Sequence, residues 1–325
     1  MIRIGLIGCG EHSEIGHATP LARYKAAHAN EIELAAVCDL KLERAKSFCS
    51  KYGFVNAYSD VDEMLSRHDL DGCIAVVPVD HIAAVSIRLL KARMPCVVEK
   101  PLATSIAELE RLVDVSRTTR TPNMVSVNRR FMPLLNRAIA WSQEAGDLRY
   151  IRCTMTRHAR TESDFLWTTA VHAVDALRFI AGDVAEANIS RIKYSPELTR
   201  WYAMDIRFES GVVGRIDVLP TAGIAEETYE LIGDGFRTVV TCPFGTHLGW
   251  KAFQNGRIVV EESISGVPQD VVNGCYDETA EFIDSLAARR RPVPSIEAVS
   301  QSVQLCLDMA KSVEQVSLNL ASAKS

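Results

Sequence analysis

The chain has no apolar run approaching the roughly 18 residues that a membrane-spanning helix requires. The apolar stretch near its start, residues 4–7, breaks at Gly8 and leads straight into a glycine motif. Neither a spanning segment nor a secretory signal is expected, which points to a cytoplasmic protein. A surplus of positive charge is also lacking: 36 Lys and Arg stand against 41 Asp and Glu, for a formal net charge of −5. That balance excludes the basic footprint of a nucleic-acid or anionic-membrane binder. The nine cysteines include no C-x-x-C pair and no zinc-type spacing. Neither a disulfide framework nor a metal centre is expected, and a reducing compartment fits. Repeats and low-complexity tracts are absent as well.

What is present suits an ordinary globular enzyme of two domains. The chain has 325 residues, 47% hydrophobic and 24% charged, more than one typical core accommodates. Residues 2–7 read as a first strand, followed at once by Gly8-Cys9-Gly10 and by a helical pattern from about 16 to 27. A Gly-x-Gly turn between strand and helix lets the backbone approach a pyrophosphate at the helix N-terminus. The third glycine of the strict motif falls on Ser13, and a three-residue insertion within 11–14 would bring Gly16 into its place. A second strand over 32–38 ends at Asp39. A carboxylate there accepts from adenosine ribose hydroxyls or, in the plainer reading, caps the next helix.

Further strands at 72–77, 95–98 and 123–127 alternate with helices at 61–67, 81–93 and 105–120. This alternation predicts an α/β fold with a doubly wound parallel sheet, a dinucleotide-binding domain over 1–122. The apolar run 96–98 ends in Glu99-Lys100-Pro101. A parallel strand buried on both faces is apolar throughout, and proline stops its ladder. Lys100 therefore stands at the carboxyl edge, where open α/β sheets bind ligands. Taken alone, Lys100 is a surface lysine on a strand-to-helix loop; the glycine turn and Asp39 argue for a ligand role.

From residue 148 the pattern changes. A helix over 169–181 stops at Gly182, and strand-like runs follow at 185–194, 201–209, 212–219, 228–232, 237–242, 247–253 and 257–261. Short turns such as Asn255-Gly256 between them predict a large, mostly antiparallel open sheet. Two helices, near 276–289 and 296–316, close a second, α+β domain over 123–325, with the last helix expected to pack back on the first domain and the tail beyond 316 to fray. Thr168, His172 and Asp175 are spaced i, i+4, i+7 and share one helical stripe. Val171, Val174, Leu177 and Ile180 make another, apolar face. A lone histidine on a helix is most often structural; the neighbouring hydroxyl and carboxylate single out His172. Upstream, Arg157, His158 and Arg160 form either a solvated basic loop or a fork for a substrate carboxylate.

With Glu99-Lys100-Pro101 after a parallel strand, an N-terminal dinucleotide turn and a His172-x-x-Asp175 helix opening a sheet domain, the chain resembles the glucose–fructose oxidoreductase, inositol dehydrogenase and MocA family. The resemblance spans nearly the whole chain and takes in Pro78-x-x-His81 and Arg129-Arg130-Phe131-x-Pro133. It implies NAD, with NADP as the alternative, bound by Gly8, Gly10, Glu11, His12, Asp39, Pro78, His81, Glu99 and Lys100. It implies Lys100 as the active-site lysine, His172 as its acid–base partner and Asp175 beside it. The implied substrate is a sugar, cyclitol or sugar acid, met by Lys100, His172 and Asp175 together with Arg157, Arg160 and Thr168, in a homodimer or homotetramer. The family commonly has Asp where this chain has Thr168. That departure argues for the alternative of an NAD-binding sugar sensor without catalysis; a reductase of imines or C=C bonds with the same fold is a further alternative.

Overall fold

The computed structural model describes residues 1–162, 164–194 and 200–322. The described chain divides into two units, Met1–Asn128 with Gly274–Ser300, and Arg129–Asn273 with the segment from Gln301 onward. The first unit holds six parallel strands: β1 (Ile2–Ile7), β2 (Ile32–Cys38), β3 (Asn56–Tyr58), β4 (Gly72–Ala75), β5 (Cys96–Glu99) and β6 (Asn123–Ser126). Their spatial order is β3-β2-β1-β4-β5-β6, so the strand order reverses between β1 and β4, the switch point at which doubly wound sheets bind nucleotides. Central strands are apolar on both faces; Ile4, Leu6, Ile74 and Val98 are all buried.

The expected boundary at 122 falls too early. The strand β6 pairs with β5, Val98 opposite Val125, and so belongs to the parallel sheet. The chain also returns: helix Cys275–Ala287 packs Phe282 and Leu286 so closely over Gly72 that a Cβ there would lie 2.8 Å from both. Tyr24 Oη donates to Asp284 across the same contact, at 2.7 Å. Parallel sheets need both faces covered, and this late helix supplies cover that the first 128 residues do not. The C-terminal helix runs Ile296–Ser322, past the expected end at 316. Only its first turn, up to Ser300, groups with the first unit.

The second unit is built on an eight-stranded sheet, β7 (Leu148–Thr156), β8 (Val184–Tyr194), β9 (Arg200–Phe208), β10 (Val213–Leu219), β11 (Glu226–Gly233), β12 (Phe236–Thr241), β13 (Gly249–Gln254) and β14 (Arg257–Ser263). Their order is β14-β13-β12-β11-β7-β10-β9-β8. All pairings are antiparallel except β7 with β10. Central β7, like short β3 in the first unit, is a strand that the sequence analysis does not predict: its alternation places Ile151, Cys153 and Met155 inside, while Arg152 and Thr154 between them are only half-buried. On the outer side Arg152 and Arg215 both pair with Asp217, and Arg215 with Asp205. This ladder sets opposite charges beside one another across the strands. Against the other face lies helix Pro133–Ala145, whose Trp141 meets Phe236 and Trp250 with ring centroids 6.0 and 6.5 Å apart. No helix among the described residues is long and apolar enough to cross a membrane.

Candidate active site

The glycine turn sits at the switch point. Gly8 adopts φ +96°, a region that only glycine enters without strain. A Cβ on it would stand 1.9 Å from the Val76 carbonyl oxygen at the end of β4. Gly10 differs: a Cβ there would meet no protein atom within 4 Å, so its backbone is open to approach by a ligand. No inserted loop follows. The helix begins directly at Glu11, with Gly10 as its N-cap residue, and Ser13 stays at the third motif position, buried, donating its hydroxyl to the Gly8 carbonyl at 2.7 Å. Gly16 has only ordinary van der Waals neighbours at the same test, so it does not stand in for the missing glycine. Gly8→Ala should lower stability by about 2–5 kcal/mol, the sum of the left-handed backbone penalty and overpacking. The urea midpoint measures it, and an unchanged midpoint would contradict this account of the turn.

Asp39 closes the same turn from β2. Its two carboxylate oxygens accept from Cys9 N–H at 2.9 Å and Lys41 N–H at 2.8 Å, one bond each. A carboxylate oxygen accepts two, so each retains capacity for a ribose hydroxyl. The helix-cap reading is not what the structure shows: Lys41, not Asp39, is the N-cap residue of helix Leu42–Tyr52. Cys9, within the turn, is a buried thiol pushed up to about 12 by burial and then by the Asp39 charge, so it offers no thiolate. Pro78 caps helix Val79–Lys91, and the backbone N–H of the exposed His81 donates to its carbonyl at 2.8 Å. Glycine turn, acidic group and open helix N-terminus together fit a dinucleotide.

Glu99, expected among the cofactor contacts, is held by groups of the protein itself. It is buried at the end of β5, where its Oε1 meets His17 Nε2 at 2.9 Å and His12 Nε2 at 3.1 Å. Its Oε2 accepts the backbone N–H of Lys100 at 3.0 Å. Burial alone would raise this carboxyl, but the charge and hydrogen bond of His12, with His17 after it, hold it well below the usual range. The Glu99 charge in turn raises His12. Glu99 therefore positions the Lys100 backbone, and His17, a residue that the sequence analysis does not single out, anchors Glu99. Lys100 itself is half-buried at the carboxyl end of β5.

In the second unit the expected stripe is interrupted. Thr168 ends a separate short helix, Phe165–Thr168, and donates its hydroxyl to Asp164 O at 2.9 Å. Helix Val171–Ala181 starts after a break at Thr169, with His172 in its first turn. This helix is buried nearly all round, His172, Asp175 and Arg178 included, rather than split into polar and apolar faces. Asp175 is completely buried and takes the Arg130 fork at 2.7 and 2.8 Å, plus the Ser302 hydroxyl at 2.9 Å. A carboxylate so held positions the groups around it. Arg178 similarly ties to Gln301, Ser302 and Asp183.

The basic stretch is also largely committed. Arg157 is buried and pairs with Glu227, which Arg129 clamps at 3.0 and 2.7 Å. Both guanidiniums lie over the Phe244 ring, 5.0 and 5.6 Å from its centroid, and Tyr229 Oη donates to Glu227 at 3.0 Å. Arg160 pairs with Glu162 over the Phe165 ring. Of the expected substrate fork, Arg157 is thus spent on a buried carboxylate, whereas Arg160 is paired only at the surface. Sequence reading missed Glu227 because its partners are about 70 and 98 residues away.

Comparison with known proteins agrees with this geometry. Residues 2–128 match the GFO_IDH_MocA family model, described as an oxidoreductase family with an NAD-binding Rossmann fold. The chain is 28% identical over 312 residues to 4-carboxy-2-hydroxymuconate-6-semialdehyde dehydrogenase from Sphingobium sp., covering 92% of this chain and 94% of that one. It is 24% identical over 233 residues to myo-inositol 2-dehydrogenase from Thermotoga maritima, 66% and 68% of the two chains. In fold it is similar to a Gfo/Idh/MocA family oxidoreductase from Vibrio cholerae, at 20% identity and a TM-score of 0.83 over 98% of this chain and 100% of that chain. Residues 2–128, with the switch-point glycine turn and the Glu99-Lys100-Pro101 strand end, therefore match the Gfo/Idh/MocA oxidoreductase family model, and the chain as a whole is similar in fold to an oxidoreductase of that family.

Proposed function

We propose that the protein is an NAD-dependent dehydrogenase acting on a secondary alcohol, or its ketone, in a sugar, cyclitol or sugar acid. The observation that carries this reading is Lys100 at the carboxyl end of β5, its backbone fixed by Glu99, in a sheet whose switch point carries a dinucleotide turn. When bound, the nicotinamide supplies the hydride chemistry. Lys100 holds the reacting oxygen and stabilises charge developing on it. His172 takes the hydroxyl proton during oxidation and returns it during reduction. Asp175, fixed by Arg130 and Ser302, keeps the His172 helix in place. Screening polyols, sugars and sugar acids for NADH formation tests the reading; NAD binding with no turnover on any of them would favour the sensor alternative instead.

A carboxylated substrate is favoured by one observation: the relative spanning 92% of this chain is named for a carboxylated semialdehyde. Acids should then outcompete the matching neutral compounds, and equal turnover of a sugar and its acid would end the idea. NAD is preferred over NADP because Asp39 accepts from both ribose hydroxyls and repels a 2′-phosphate, although Lys41 and Arg44 lie close by in sequence. Asp39→Ala should narrow the ratio of the two dissociation constants; tighter NADP binding by the parent protein would overturn the assignment. The second unit's charged outer sheet face is the surface through which we infer a homodimer or homotetramer, to be tested by light scattering.

A further inference from the structure

We propose that His12, His17 and Glu99 form a binding site for a transition-metal dication of the zinc type. The sequence gives no sign of it, because the two histidines are five residues apart and the carboxylate is 82 residues beyond the second. In an α-helix residues five apart face different directions. Here the segment Glu14–Ala18 is a π-helix, and the Thr19 N–H reaches back to the Glu14 carbonyl. His12 lies in the turn just before it, Glu11–Ser13, and His17 within it; the wider π turn between them rotates the two histidines toward one side, and π turns inside α-helices occur frequently at functional sites. Both Nε2 atoms consequently converge on Glu99 Oε1, at 2.9 and 3.1 Å, and the three ligand atoms all lie within 4.8 Å of one another.

A tetrahedral ion with bonds of about 2.0–2.2 Å holds its donors roughly 3.4 Å apart. The two contacts to Glu99 need widen only by a few tenths of an ångström. The adjustment falls on His12, whose side chain is 60% exposed, while His17 and Glu99 are 2% and 6% exposed and fixed. The exposed imidazole also gives the ion a path in. Two imidazoles and one carboxylate select Zn²⁺, Co²⁺ or Ni²⁺ over Mg²⁺ and Ca²⁺, with water completing the shell. Lys100 N–H on the second carboxylate oxygen supplies the outer support that orients such ligands. On binding, each histidine presents Nε2 as a lone pair with its proton on Nδ1, and any displaced proton passes to solvent.

Full-length protein freed of metal by chelation is titrated with ZnCl₂ by calorimetry and with CoCl₂ by visible spectroscopy. One ion per chain is expected, with Co²⁺ d–d bands and no thiolate charge-transfer band, and with a Zn²⁺-dependent rise in melting temperature. His12→Ala, a change at an exposed position, should weaken Zn²⁺ at least ~10–100-fold, since losing even a supporting partner costs that much. His17→Gln should do the same; if it fails to fold, His12→Ala decides alone. Unchanged affinity in His12→Ala, a thiolate band, or no Zn²⁺ binding by the parent protein would each overturn the site.

Discussion

Lys100→Met and His172→Asn should each lower turnover by roughly 10²–10⁴-fold, the usual worth of a positioned proton-transfer group. Methionine retains most of the lysine stem and removes its charge; asparagine retains polarity and removes the proton carrier. NAD affinity should stay within a few-fold, because Gly8, Gly10 and Asp39 are untouched. Calorimetric NAD titration beside steady-state kinetics separates the two effects. The double variant should lose much less than the product of the single losses if the pair serves one proton transfer. A His172→Asn enzyme with near-normal turnover would reassign the proton to Lys100. Loss of NAD binding in both single variants would mean that these residues hold the structure and do not take part in the reaction.

Glu227→Gln should destabilise the second unit by about 3–5 kcal/mol, because it leaves the buried Arg129 and Arg157 guanidiniums without their shared carboxylate. Glu227 is completely buried, and burial by itself raises its carboxyl; the Arg129 and then the Arg157 charges and hydrogen bonds win and lower it from 4.5 to about 2. An acid whose folded value is depressed binds protons more readily when unfolded, so its stabilisation is complete above the unfolded value near 4.5. It is lost progressively as pH falls from there toward about 2. Urea midpoints of the parent protein should therefore decline across that window, and those of Glu227→Gln should decline less. A variant within 1 kcal/mol of the parent at neutral pH would show that the trio contributes little net stability.

Much of the first unit was legible in sequence because its determinants are local. Apolar runs 4–8 residues long or shorter between helical patterns specify buried parallel strands, and Pro101 fixes where β5 stops. Gly8 was legible for a comparable reason: the sharp turn after β1 demands a backbone that other residues resist. Three-residue β3 was not, since so short a run carries no periodicity. The break at Thr169 was also invisible, because the i, i+4, i+7 spacing of Thr168, His172 and Asp175 reads the same whether or not the helix is interrupted between them.

The sequence by itself determined the fold class, the glycine turn, the acidic end of β2 and the place of Lys100 at a strand's carboxyl edge. Each follows from residue type within a window of about ten positions, where sterics and burial act directly on the backbone. Only the tertiary structure decided which charges are spent internally. Arg157 was available to a substrate until β11 brought Glu227 beneath it, and Asp175 until Arg130 and Ser302 closed on it. The same holds for Glu99, which joins His12 and His17 through a π turn and a strand more than 80 residues away. Electrostatic pairing depends on distances of a few ångströms between groups far apart in the chain, and burial, which sets the strength of each pair, exists only once the sheets have formed.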